Sequence, residues 1–186
     1  MMVREIGSVA ASRLPIHVFS EHLRLGRGFE EDTREEALLE HYLRAALATI
    51  RSRTGRALIA REFSWSVSRW QEAGRQVLPV GPVIEVLSVD VIGATGEPRR
   101  EGVTLHARGN EIFGALPVIP HGGVAELRFK AGFGEWRDVP ADLRQAVLVL
   151  ATQYFEDRGG EMGTALPATV AALISPWQQR RLGAVS

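Results

Sequence analysis

KAGFGEWRDVPADLRQAVLVLATQYFEDRGG, Lys130–Gly160, passes from a strand through two glycines into a long apolar helix. Just before it, Ala125, Leu127 and Phe129 alternate with Glu126, Arg128 and Lys130, the two-residue period of a strand with one buried face. Beyond Pro140 the period lengthens. Leu143, Ala146, Val147, Leu150, Ala151 and Tyr154 form one helical stripe, and Leu148, Val149 and Phe155 widen it. A helix this apolar is buried around much of its circumference, within its own fold or against another subunit. A glycine turn between strand and helix can hold a phosphate when backbone N–H groups converge directly in front of the helix. Here several residues, including Trp136, separate Gly134 from the helix, and Pro140 at its start removes a donor. The lysine and hydroxyl of GxxxxGK[ST] are absent as well. The glycines are therefore a turn that lets the chain leave the sheet.

Upstream of this stretch the two-residue period persists. FSWSVS sets Phe63, Trp65 and Val67 against Ser64, Ser66 and Ser68, and EVLSVDVIG groups Leu87, Val89 and Val91. Between them LPVGPV is extended, because Pro79 and Pro82 exclude a helix. VTLHARGNEIF is a hairpin turning at Gly109-Asn110. Five or six short strands are expected in the β region, about residues 60–131. Before it, DTREEALLEHYLRAALATIRSRTG carries a capping box at Thr33 and Glu36, an apolar face of Leu39, Leu43, Ala46 and Ile50, and a terminal Gly55. LPIHVFSEHLRLG is a shorter helix with Phe19 and Leu23 four apart and Gly26 as its stop. After the long helix, LPATVAALI begins a short one at Pro167, and SPWQQRRLGAVS leaves as a tail.

Helices, then strands, then helices are an α+β order: N-terminal helices, a central run of short antiparallel strands, a long buried helix, and a short C-terminal helix with an extended tail. The expected organisation is a flexible arm over 1–13, one domain over 14–175 and a tail over 176–186.

At 186 residues the chain is long enough for one domain that buries roughly 70% of its unfolded surface. It has no cysteine, which excludes disulfides, thiolate metal sites and a thiol nucleophile. A formal net charge of zero argues against a dominant basic footprint for nucleic acid. The N-terminus lacks a signal-peptide apolar run and no stretch is apolar enough to cross a bilayer, so a soluble protein is expected, intracellular when made.

No catalytic, cofactor or metal residue is nominated. His17 and His22 are five apart, off the i, i+4 spacing of two ligands on one helix face, and His41, His106 and His121 are scattered. HExxH and GxSxG are absent, and the pairs Glu30-Glu31 and Glu35-Glu36 suit the start of a helix. The tail carries Trp177, Arg180, Arg181 and Leu182, with the two residue types most enriched at interface hot spots. Trp177 either docks into a partner or packs back on its own domain with the arginines solvated.

These segments, in this order from about Leu14 to Leu182, resemble the head–tail connector, or adaptor, proteins of tailed phages and gene transfer agents. LPIHVFSEHLRL is similar to the family's opening helix, and EEALLEHYLRAALATIRSRTGRALI to its long helix ending in a TGxxL turn. VLPVGPVIEVLSV is similar to its LPxxPV segment, and the opening stretch to its AGxG…VPxxLxxAxxxLxxxxYE.R region. LPATVAALISPWQQRRL is similar to its terminus LPxxVxxLLxPYRxxRL, with Trp177 in place of the commoner tyrosine. YFEDR also holds one residue more than the usual spacing.

The resemblance implies a non-enzymatic structural protein. It would form a ring, typically of twelve copies, below the portal of a phage-like particle, with DNA passing through as non-specific cargo. The other face would receive the next neck (stopper) or tail protein, and no membrane or cofactor is implied. Portal docking falls to Pro167, Leu173, Pro176, Trp177, Arg180, Arg181 and Leu182, and packing between subunits to Leu148, Val149 and Phe155. Two other readings stay open: a non-catalytic assembly factor or minor tail binding module, and an enzyme with a site distributed among GFGEW, His106 and acidic residues.

Overall fold

The computed structural model describes residues 3–23, 33–93, 96–157 and 166–178. The fold is α+β, and the chain divides into two compact units, each assembled from separate stretches of sequence. The first comprises the residues up to Val9 together with Ile59–Phe133; the second runs over Ala10–Leu58 and from Gly134 onward.

The first unit is all β. Its strands are β1 (Val3–Ile6), β2 (Arg61–Val67), β3 (Arg75–Val77), β4 (Val83–Ile92), β5 (Pro98–Glu101), β6 (Leu105–Arg108), β7 (Glu111–Gly114) and β8 (Val124–Ala131). A five-stranded antiparallel sheet has the order β1-β2-β8-β4-β5, and a three-stranded one β3-β7-β6. The central pair sets the core. Phe63 stands opposite Phe129, Trp65 opposite Leu127 and Val67 opposite Ala125, so one face of each strand carries its apolar residues. Phe63, Trp65, Leu127 and Phe129 are fully buried, and the two phenyl rings stack at 5.7 Å. The other face is polar and internally paired: Ser64 Oγ donates to Glu126 (2.5 Å) and Arg100 to Asp90 (3.0 Å). Ser64 is itself buried, supported by that bond.

Among the described residues, seven strands fall within the β region where five or six were expected, β3 and β5 being the ones not read from the sequence, and β1 and β4 depart from it in other ways. Val3–Ile6, inside the expected flexible arm, pairs with β2 from Val3↔Trp65 to Ile6↔Glu62. Four residues are too few to show a period, and Glu5 gains a partner only on folding, in Arg61 at 3.2 Å. In β4, Val89 and Val91 are buried as expected, but Leu87 is not. The register of β4 on β8 slips twice, between Val83 and Glu85 and between Val86 and Ser88, leaving Ile84 and Leu87 as inserted residues. Such bulges break the strict alternation and turn the extra side chain away from its neighbours' face.

The second unit is helical: α1 (Ile16–His22), α2 (Thr33–Thr54), α3 (Ala141–Glu156) and α4 (Ala168–Ile174). On α2, Leu39, Leu43, Ala46 and Ile50 are all buried, and His41 faces solvent. Gly55 closes α2 at φ 67°, its N–H bonded to the Arg51 carbonyl at 2.8 Å, the left-handed cap that glycine adopts without strain. The side chain of Thr33, and Gly26, lie outside the described residues. α3 packs against both α2 and α4, and buries Leu143, Ala146, Val147, Leu148, Leu150 and Ala151. One bond joins the helices at their polar margin, Thr49 Oγ1 to Tyr154 Oη at 3.0 Å.

Candidate docking surface

The residues assigned to docking begin on α4. Pro167 precedes its first turn, Val170 and Ile174 point into the unit, and Leu173 is half-buried. A 3₁₀ turn over Ser175–Trp177 follows, with Pro176 exposed. There the chain is fastened: the Trp177 indole N–H donates to Asp142 Oδ2 at 2.6 Å. The other carboxylate oxygen of Asp142 accepts the Leu143 N–H at 2.9 Å, so one side chain both caps the first turn of α3 and holds the root of the tail. Trp177 thus packs back on its own unit. Arg180, Arg181 and Leu182 lie outside the described residues.

Asp142 is the residue that sequence reasoning missed. An acid in the first turn of a helix is explained by the macrodipole, and nothing local signals an indole 35 positions away.

Of the residues assigned to packing between subunits, Leu148 is 8% exposed and so is already buried within its own chain. Phe155 lies edge-on to Tyr42 at 6.0 Å, still half-buried, and Val149 is half-buried too. Both α2 and α4 pack on α3, which therefore needs a wider apolar stripe than a single neighbour would.

The glycine turn resolves as punctuation. Gly132 (φ 134°) bonds through its N–H to the Pro82 carbonyl at 2.8 Å. The Glu135 N–H donates to Asp138 Oδ2 at 2.8 Å. Donors that a phosphate would need are already occupied, one of them by a carboxylate that would repel it. Glu135 also receives Arg13 at 2.9 Å. Among the described residues there is no group of three or more His, Asp or Glu side chains that could hold a metal ion. Among those residues, too, no helix is long and apolar enough to cross a membrane.

On the polar face of the sheet, the hydrogen bond from Arg100 holds the Asp90 carboxyl below its usual pKa range, against the opposing effect of desolvation. Arg128 adds to the field there, while Glu126 beside it carries the opposite charge. These cations and carboxylates alternate, so this face is no basic track.

No family model matches the chain, and no curated protein matches it. Solved structures do. A chain from the neck of an empty gene transfer agent (GTA) particle computed with C6 symmetry is 40% identical, with a TM-score of 0.85, over 98% of this chain and 97% of that one. The chain belongs to the head–tail connector family. A chain from the virion of a native GTA particle is likewise 40% identical, with a TM-score of 0.82 and the same coverage of 98% and 97%. A third, from the neck of a native GTA particle computed with C12 symmetry, is 37% identical at a TM-score of 0.79, again covering 98% and 97%. The connector thus matches these chains almost end to end.

Proposed function

We propose that this connector is a structural component of the neck of a phage-like particle, the adaptor that forms a twelve-copy ring below the portal. Its ring joins the capsid vertex to the next neck or tail protein and leaves a channel for DNA. The observation that carries this reading is near-complete alignment, at 40% identity, with a chain from a GTA neck. Neck structures computed with C6 and C12 symmetry support a ring. DNA in such a channel is contacted without base reading, and a chain of zero formal charge suits transit better than a strongly basic one.

The portal is bound by the C-terminal segment from Pro167 to Leu182. Trp177, bonded to Asp142, fixes where the tail departs. Truncation after Gln178 leaves α4 and the Trp177–Asp142 bond in place and removes Arg180, Arg181 and Leu182. The truncated protein is expected to keep its circular dichroism spectrum and to lose co-sedimentation with portal. Undiminished co-sedimentation sinks the docking assignment.

A further inference from the structure

Among the described residues, the large apolar side chains most open to solvent in the β unit are Val118 (83% exposed), Ile84 (45%) and Leu87 (41%). They form two patches with different constructions. Ile84 and Leu87 are the two residues inserted by the bulges of β4. β5 covers β4 only from Val89 to Ile92, so the bulged half has no β5 strand alongside it. Val83, where that half begins, donates its N–H to the Gly109 carbonyl in the β6–β7 turn at 2.6 Å, and the bulges break regular pairing beyond it, so what docks here meets side chains. Exposed Glu85 lies between the two apolar residues, opposite exposed Lys130, and gives the patch a charged rim.

Val118 belongs to the loop between β7 and β8, and that loop is stiffened. Pro117 and Pro120 bracket Val118 and Ile119. The Trp70 indole N–H donates to the Pro117 carbonyl at 2.7 Å, and the Leu116 N–H to the Gly114 carbonyl at 2.9 Å. An apolar side chain held out on a braced loop is already ordered for burial, which lowers the cost of binding.

The register places the patches at opposite ends of the sheet. Val83 pairs with Ala131, and Ile92 with Val124, the two ends of an eight-residue strand about 25 Å long. Ile84 and Leu87 lie toward the first end. The loop of Val118 reaches β8 at the second, where a Cβ on Gly123 would stand 2.7 Å from the Ile92 carbonyl and 3.1 Å from Pro120. Two unlike patches at opposite ends of one unit are what a head-to-tail contact requires, and rotation closes such contacts into rings.

We infer that Val118 of one copy seats against Ile84 and Leu87 of the next, making an apolar contact between neighbours in the ring. This rests on the ring reading above; the occupant is a second copy because the matching chains stand in necks computed with C6 and C12 symmetry.

The chain has no cysteine, which permits a direct test. The full-length V118C/L87C double variant, assembled on portal and treated with a short bismaleimide, is expected to give a ladder of covalent oligomers, and neither single variant is. V118E and L87K are each expected to weaken ring association at least tenfold with unchanged circular dichroism, and the combined variant to recover most of it. Intact rings in V118E and L87K, or a ladder from V118C alone, overturn the contact while the ring stands. Failure of the unmodified chain to form any ring on portal overturns the ring reading and this contact with it.

Discussion

Replacing Trp177 by phenylalanine removes one N–H and keeps most of the ring. In the native protein that N–H meets Asp142 Oδ2 at 2.6 Å in a half-buried position. A hydrogen bond to a charged acceptor contributes about 1.5 kcal/mol. The root of the tail should then open roughly tenfold more often, since 1.4 kcal/mol is a factor of ten. Trp177→Ala also exposes the apolar surface that the ring covers. A half-buried tryptophan contributes on the order of 100 Å², worth about 2.5 kcal/mol at 25 cal/mol per Å². Added to the lost bond this is about 4 kcal/mol, enough to leave α4 open much of the time. Hydrogen exchange followed by mass spectrometry on residues 168–177 separates the cases. Protection should fall about tenfold in W177F and much further in W177A, with α2 unchanged. Asp142→Asn, which keeps an oxygen acceptor and loses the charge, should fall between native and W177F. Native-like protection in W177F would show that the bond contributes nothing; equal loss in W177F and W177A would show that the ring does not pack.

Gly132→Ala should prevent folding of the β unit, because its Cβ would sit 2.6 Å from the Ala60 Cα, a backbone atom that cannot step aside, at φ 134°; soluble yield and circular dichroism check this. Gly55→Ala puts a side chain at φ 67° and should cost about 1–2 kcal/mol, read as a lowered Tm. Tyr154→Phe removes the bond to Thr49 and should cost about 1 kcal/mol in denaturant unfolding. Asp90 has a folded pKa depressed chiefly by Arg100, so its stabilisation is complete above the unfolded value of about 3.9 and fades as pH falls through the lower folded one. Native protein should therefore exceed Arg100→Ala in stability near neutral pH and lose that advantage in acid; an advantage that persists at pH 2 contradicts the pairing.

Long periods carried the most information. α2 and α3 each repeat their apolar spacing over several turns, and Leu39, Leu43, Ala46 and Ile50 on one and Leu143, Ala146, Val147, Leu150 and Ala151 on the other are buried as that spacing expects. The β core was legible for the same reason in β2 and β8, where Phe63, Trp65, Leu127 and Phe129 alternate without interruption. Legibility failed where a feature depends on a partner distant in sequence. β1 is too short to have a period, and what holds it is the edge of β2. Each bulge of β4 shifts the alternation by one residue, so Leu87 counts with Val89 and Val91 in sequence and departs from them in the sheet. Asp142 looks like an ordinary helix-start acid until Trp177 arrives beside it. Leu148 counts as surplus in the sequence because the cover that α2 and α4 give α3 has no local trace there. The family could be recognised because it rests on the order of many modest motifs, and such an order survives the loss of any one of them.

Electron cryomicroscopy of purified particles carrying this connector, with the chain traced by its own side chains, tests the central claim most directly. The expected result is twelve copies encircling the channel against the portal, with each tail in contact with it. A neck built from another protein, with this chain absent from the particle, would contradict the account.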